Sequence, residues 1–146
     1  MGGKEKDKKF VSKLINQVKA GNTELNVVDD KAGTPTYTRD FAQSIRKHLD
    51  NNLSSGLYNM VCGGDATRYD VALEIEKILN LDISINRVSS DVFAKSYFAP
   101  RPASEKLQNF LLENKGCNYM RDWKTCLKEY LLEDWKLSNV YHVLDQ

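Results

Sequence analysis

Short strand-like runs alternate along this chain with amphipathic stretches of about a dozen residues, and that alternation confines it to an α/β fold. Leu25-Asn26-Val27-Val28 is a β-branched run, and Ile83-Ser84-Ile85-Asn86-Arg87-Val88 alternates apolar and polar as a half-buried strand does. Leu57-Tyr58-Asn59-Met60-Val61-Cys62 predicts a third strand between them, left through Gly63-Gly64-Asp65. The first helix is predicted from about Asp7 to Lys19, with Phe10, Val11, Leu14, Ile15 and Val18 on one stripe and Gly21-Asn22 as its stop. Thr38 is the predicted N-cap of a second helix, which carries Phe41, Ile45 and Leu49 on one face. Thr67 opens a third, whose buried side is Tyr69, Val71, Ala72, Ile75, Ile78 and Leu79. Two more are predicted at Ser104–Glu113 and Asp122–Trp135, broken by Gly116, with an irregular stretch from Val88 to Pro102. Three strands are few beside the usual four to six or so. The expectation is therefore an α/β unit of few strands and about five helices, belonging to something larger.

Composition removes more classes than it selects. The 146 residues suffice for one core, and no repeat of 20 to 50 residues divides them. Lys and Arg exceed Asp and Glu by 21 − 20 = 1, so no global field draws the chain to nucleic acid or to an anionic membrane. No apolar run approaches the roughly 20 residues of a membrane span. The opening MGGKEKDKKF has no apolar signal region, and with three unpatterned cysteines it points to the cytoplasm. His48 and His142 are too few for a histidine metal site or a Ser-His relay. There is no G-x-G-x-x-G, Walker loop, HExxH or GxSxG, so no catalytic, cofactor-binding or metal-ligating residue is assigned.

Two loops carry positive signals. In Asp29-Asp30-Lys31-Ala32-Gly33-Thr34-Pro35-Thr36, Gly33 lets the backbone approach a ligand and Pro35 fixes φ. Thr36 and Thr38 stand at a helix N-terminus, where an anion is welcome, although ordinary capping accounts for the same residues. In Phe98-Ala99-Pro100-Arg101-Pro102-Ala103-Ser104, two prolines hold Arg101 extended, which suits bidentate recognition of phosphate or carboxylate as well as a local ion pair. Trp123, in Met120-Arg121-Asp122-Trp123-Lys124, reads first as a core residue and second as a stacking surface.

Taken in order, these segments resemble the second half of the dTDP-4-dehydrorhamnose reductases, extended short-chain dehydrogenase/reductases that act on nucleotide sugars. The likeness runs through Lys8-Lys9-Phe10-Val11, Val27-Val28-Asp29-Asp30-Lys31-Ala32-Gly33-Thr34-Pro35-Thr36, Arg39-Asp40-Phe41-Ala42, Gly56-Leu57-Tyr58-Asn59-Met60, Ala99-Pro100-Arg101-Pro102 and Arg121-Asp122-Trp123. It spans about Asp7 to Leu132. Where the family often has Ser or Ala four residues after its arginine, this chain has Glu105, with Ser104 one place earlier.

The resemblance implies the substrate-binding C-terminal portion of such a reductase, 1–146 as one domain, with 1–6 expected disordered and 133–146 an unassigned tail. Gly33, Pro35, Thr36 and Arg101 are its implied substrate-binding residues, Arg101 meeting a diphosphate oxygen. The family's NAD(P)H, its glycine-rich loop and its Tyr-x-x-x-Lys pair belong to a half that this sequence does not show, Met1-Gly2-Gly3 being similar to the loop that follows it. The expected partners are a nucleotide-sugar substrate, the missing catalytic half, and a second copy joined through an exposed sheet edge or apolar patch. Two alternatives stand beside this: a non-catalytic binding or assembly module, and the same portion of a related epimerase or dehydratase.

Overall fold

The computed structural model describes residues 1–2, 9–96 and 102–134. Helix α1, Phe10–Lys19, turns Val11, Leu14 and Ile15 inward and stops where Gly21 adopts φ +87°, its N–H closing on the Val18 carbonyl. Strand β1, Glu24–Val28, runs parallel to β4, Ser84–Val88, in register from Glu24 opposite Ser84 to Val28 opposite Val88. A two-residue strand β2, Ala32–Gly33, pairs antiparallel with β3, Ala66–Thr67. Helix α2 is Thr38–Asp50 and helix α3 is Arg68–Leu79. The latter is opened by a capping box, in which Thr67 Oγ accepts from the Asp70 N–H while the Asp70 carboxylate accepts from the Thr67 N–H. Helix α3 is the centre of the core, and its Val71, Ala72, Ile75 and Leu79 pack among β1, β4, α1 and α5, Trp123–Glu129. Helix α4 is the short Phe110–Asn114. Among the described residues no helix is long and apolar enough to cross a membrane.

Several expectations are corrected. Leu57–Cys62 is not a strand, because no other strand lies beside it among the described residues. Asn109 serves as a single rung instead: its Oδ1 accepts from the Val61 N–H at 2.8 Å and its Nδ2 donates to the Val61 carbonyl at 2.7 Å. The helix predicted over Ser104–Glu113 begins only at Phe110, since the segment before it is spent on β2. The Ala32 N–H donates to the Ala103 carbonyl at 2.9 Å, and the Glu105 N–H to the Ala32 carbonyl at 2.8 Å. The last helix is α5 followed by a π-helical turn, Tyr130–Asp134, with Tyr130 and Leu131 fully buried; Trp135 lies outside the described residues. Part of the stretch called irregular, Ser90–Ser96, is a 3₁₀ segment. The N-cap of α2 is Tyr37 rather than Thr38. Tyr37 makes no side-chain cap and is fully buried, its ring 5.7 Å from that of Tyr130.

Helix α2 is also turned the unexpected way. Its buried residues are the polar Asp40, Ser44 and His48, while Phe41, Ile45 and Leu49 face outward, Leu49 at 73% exposure. Each inward polar group has a partner. Ser44 Oγ lies 3.3 Å from His48 Nε2, the His48 ring packs on Tyr119, and Asp40 is held by Arg121.

Candidate functional site

The pairing of β2 with β3 on one side and with residues 103–105 on the other brings the Asp29–Thr36 loop beside the described end of the second loop, Pro102–Ser104. They rim a cleft of about 550 Å³, a volume in the range of small-molecule sites. Gly33, Thr34 and Pro35 form one wall, Pro102 and Glu105 another, and Val71, Trp123 and Leu127 give an apolar floor. The first turns of α1 and α3 complete it, through Phe10 and Val11 and through Thr67 and Arg68. Two helix N-termini therefore bear on one space, each adding positive potential. Lys9, Lys31 and Arg68 also line the cleft, three cations against the single carboxylate of Glu105. Such a space favours an anionic head joined to an apolar or ring-shaped body.

The floor is fixed from behind. Asp40 is buried on α2, yet Arg121 Nε donates to its Oδ2 at 2.8 Å and Nη2 to its Oδ1 at 2.5 Å. This bidentate pair, with the Cys126 S–H on Oδ2, holds the Asp40 carboxyl below the usual carboxylate range in spite of burial. Arg121 also reaches Glu129 at 2.6 Å, and Arg39 links Glu129 to Glu133. Asp30 accepts from the Ser90 N–H, Ser90 Oγ and Ser89 Oγ, which lowers its pKa and ties the exits of β1 and β4 together. Gly64 adopts φ +81° against Trp123, and the Gly63 carbonyl accepts from the Trp123 N–H at 3.0 Å.

Of the four residues implied by resemblance, Gly33 and Pro35 line the cleft. Thr36 stands just behind it: its hydroxyl donates to the Thr34 carbonyl and accepts from the Cys62 N–H, and its carbonyl accepts from the Met1 ammonium. Arg101 lies outside the described residues, one position before the Pro102 wall. Trp123 is 4% exposed, a core residue that also forms floor. Sequence reasoning did not single out Lys9 and Arg68 as site residues. Lys9 is the N-cap of α1 and Arg68 the first residue of α3, so both reach the cleft from helix starts. Neither Gly33 nor Gly63-Gly64 belongs to a glycine-rich dinucleotide loop, and the sequence holds no Tyr-x-x-x-Lys.

The family model described as the RmlD substrate binding domain matches residues 3–135. The spore coat polysaccharide biosynthesis protein SpsK of Bacillus subtilis is 33% identical over 110 residues, which are 75% of this chain and 37% of that protein. A dTDP-4-dehydrorhamnose reductase of Clostridium acetobutylicum superposes with a TM-score of 0.78 at 33% identity, over 86% of this chain and 44% of that one. A Bacillus anthracis dTDP-4-dehydrorhamnose reductase, solved in complex with NADP, gives 0.76 at 26% identity, over 90% and 45%. The chain thus spans under half the length of the relatives it matches. By motif order, by fold and by this match, the chain belongs to the RmlD substrate binding domain family.

Proposed function

We propose that this chain is the sugar-nucleotide-binding portion of a dTDP-sugar reductase, with hydride transfer resting on groups outside the sequence in hand. The cleft carries the reading: two helix N-termini and three cations converge above an apolar floor of Val71, Trp123 and Leu127. A diphosphate satisfies the first and a deoxysugar or base ring the second. In this reading Lys9, Lys31 and Arg68 face the diphosphate, joined by Arg101. Gly33 and Pro35 shape the sugar wall and Thr36 braces it. In this reading NAD(P)H belongs to the part of the longer relatives that lies outside the match, and is not assigned to this chain.

Titration calorimetry with dTDP tests it. Removing one charged hydrogen bond to a phosphate costs about 1.5 to 3 kcal/mol, so Arg68→Gln and Lys31→Gln should each weaken dTDP roughly tenfold or more. Gly33→Ala separates ligand room from folding, since a Cβ at Gly33 meets nothing within 4 Å. Its stability should hold while dTDP-sugar affinity falls. Unchanged affinity in all three variants would refute the assignment.

A second reading, a homo-oligomeric assembly module, is favoured by one observation, the outward stripe Phe41, Ile45 and Leu49 on α2. Light scattering decides it. A dimer that Leu49→Lys returns to monomer supports pairing through this face, and a monomer at every concentration rules it out.

A further inference from the structure

Behind the candidate loop lies a group of side chains that the binding reading leaves unused. The Tyr37 N–H donates to Cys62 Sγ at 3.5 Å, the Cys62 thiol donates to Cys126 Sγ at 3.5 Å, and the Cys126 thiol donates to Asp40 Oδ2 at 3.1 Å. Both thiols are buried, at 1% and 0% exposure. The same atoms do not make a cation site, because the Arg121 guanidinium already occupies both Asp40 oxygens and repels a metal ion.

We propose that Cys62 and Cys126 are a redox pair, closing to a disulfide under peroxide and thereby shifting the Thr34–Tyr37 loop. The backbone on either side is already aligned for it. The Gly63 N–H donates to the Arg121 carbonyl at 2.9 Å and the Trp123 N–H returns to the Gly63 carbonyl, so the two chain segments are clamped one and three residues from the sulfurs. The two sulfurs stand 3.5 Å apart, against the roughly 2.05 Å of a disulfide. Access comes from local opening of Leu57–Cys62, which is held by side-chain hydrogen bonds in place of a β ladder. Burial raises both thiols, and the bond to Asp40 raises Cys126 further, so Cys62 is the one that attacks first.

The Cys62 sulfur attacks one peroxide oxygen, the O–O bond breaks, and water leaves, giving a sulfenic acid. The Cys126 sulfur then attacks the Cys62 sulfur, the S–O bond breaks, and a second water leaves. Two thiols lose two electrons and two protons, and one hydrogen peroxide becomes two waters. Once closed, Cys62 Sγ is drawn off the Tyr37 N–H and Asp40 loses the Cys126 donor while keeping Arg121. The consequence for ligand binding rests on the binding reading above; the bond and the loop shift do not.

The full chain is treated with hydrogen peroxide in native buffer, alkylated and mapped by mass spectrometry. Expected is a loss of two hydrogens, a Cys62–Cys126 linked peptide, an alkylated Cys117, and reversal by dithiothreitol. Cys117→Ser should retain the loss and Cys126→Ser should abolish it. Recovery of Cys62 and Cys126 as alkylated thiols, or a link through Cys117, overturns the pair. In amide NMR spectra the Tyr37 signal should move on oxidation, and a linked protein with an unmoved Tyr37 signal overturns the loop coupling. Neither readout uses dTDP, so failure of the binding reading is told apart from failure of this one.

Discussion

Arg121→Ala should destabilise the chain mainly by what it leaves behind. Arg121 bridges Asp40 and Glu129. Glu129 keeps Arg39 at 3.0 Å after the truncation, so it is not stranded. Asp40, with a side chain 2% exposed, keeps the Cys126 thiol and the backbone N–H of residue 121. Removing one partner of a buried pair costs about 3 to 5 kcal/mol. The Arg121 side chain is 41% exposed, so water enters its place and the expected loss is about 2 to 3 kcal/mol. For a domain of this size that lowers the melting midpoint by roughly 6 to 9 °C. Arg121→Lys, a single donor point in place of a fork, should fall between the two. The pH dependence has a definite sign. Asp40 titrates below its ordinary value in the folded chain, so its contribution is present above pH about 4 and is lost as pH falls through the folded pKa. In Arg121→Ala the buried carboxyl is relieved by protonation, so the gap from wild type is widest near pH 7 and closes in acid. Urea unfolding at pH 7 and pH 3.5 measures both. A loss under about 1 kcal/mol at pH 7, the level of an exposed ion pair, would refute the claim that Asp40 is held dry by Arg121.

The remaining predictions use other parts of the structure. Gly64→Ala places a Cβ 2.8 Å from Trp123 Cδ1 at φ +81°, so it should cost about 2 kcal/mol in urea unfolding. Thr67→Ala removes the capping box of α3 and should cost about 1 kcal/mol by the same measurement. Arg101→Ala should leave the urea midpoint unchanged and weaken dTDP in calorimetry by roughly tenfold, the loss of a charge-assisted bond.

What was legible in the sequence is what local pattern decides. Leu25–Val28 and Ile83–Val88 read correctly because β-branched and alternating residues fit a pleated surface, and α3 because its cap and apolar stripe agree. Leu57–Cys62 has the composition of a strand, but its backbone partner is the side chain of Asn109, 48 residues away. The Ser104–Asn109 stretch has helix formers and yields them to a bridge with Ala32, a tertiary override of propensity. Periodicity alone turned α2 inside out, because the group that makes burial of Asp40 tolerable comes from Arg121, 81 residues on. At the site, each loop could be singled out by its Gly, Pro and Arg, but not their adjacency, which β2 creates by pairing with both β3 and residues 103–105.

Thermal denaturation of the purified chain with dTDP-rhamnose, dTDP and NADPH in separate titrations tests the central claim most directly. A ligand that binds only the folded state adds about 2.7 kcal/mol at a hundredfold excess over Kd, roughly 5 to 10 °C here. The cleft predicts a saturable upward shift with dTDP-rhamnose and dTDP and none with NADPH. A cooperatively melting chain that shifts with neither dTDP compound, or with NADPH alone, would contradict it.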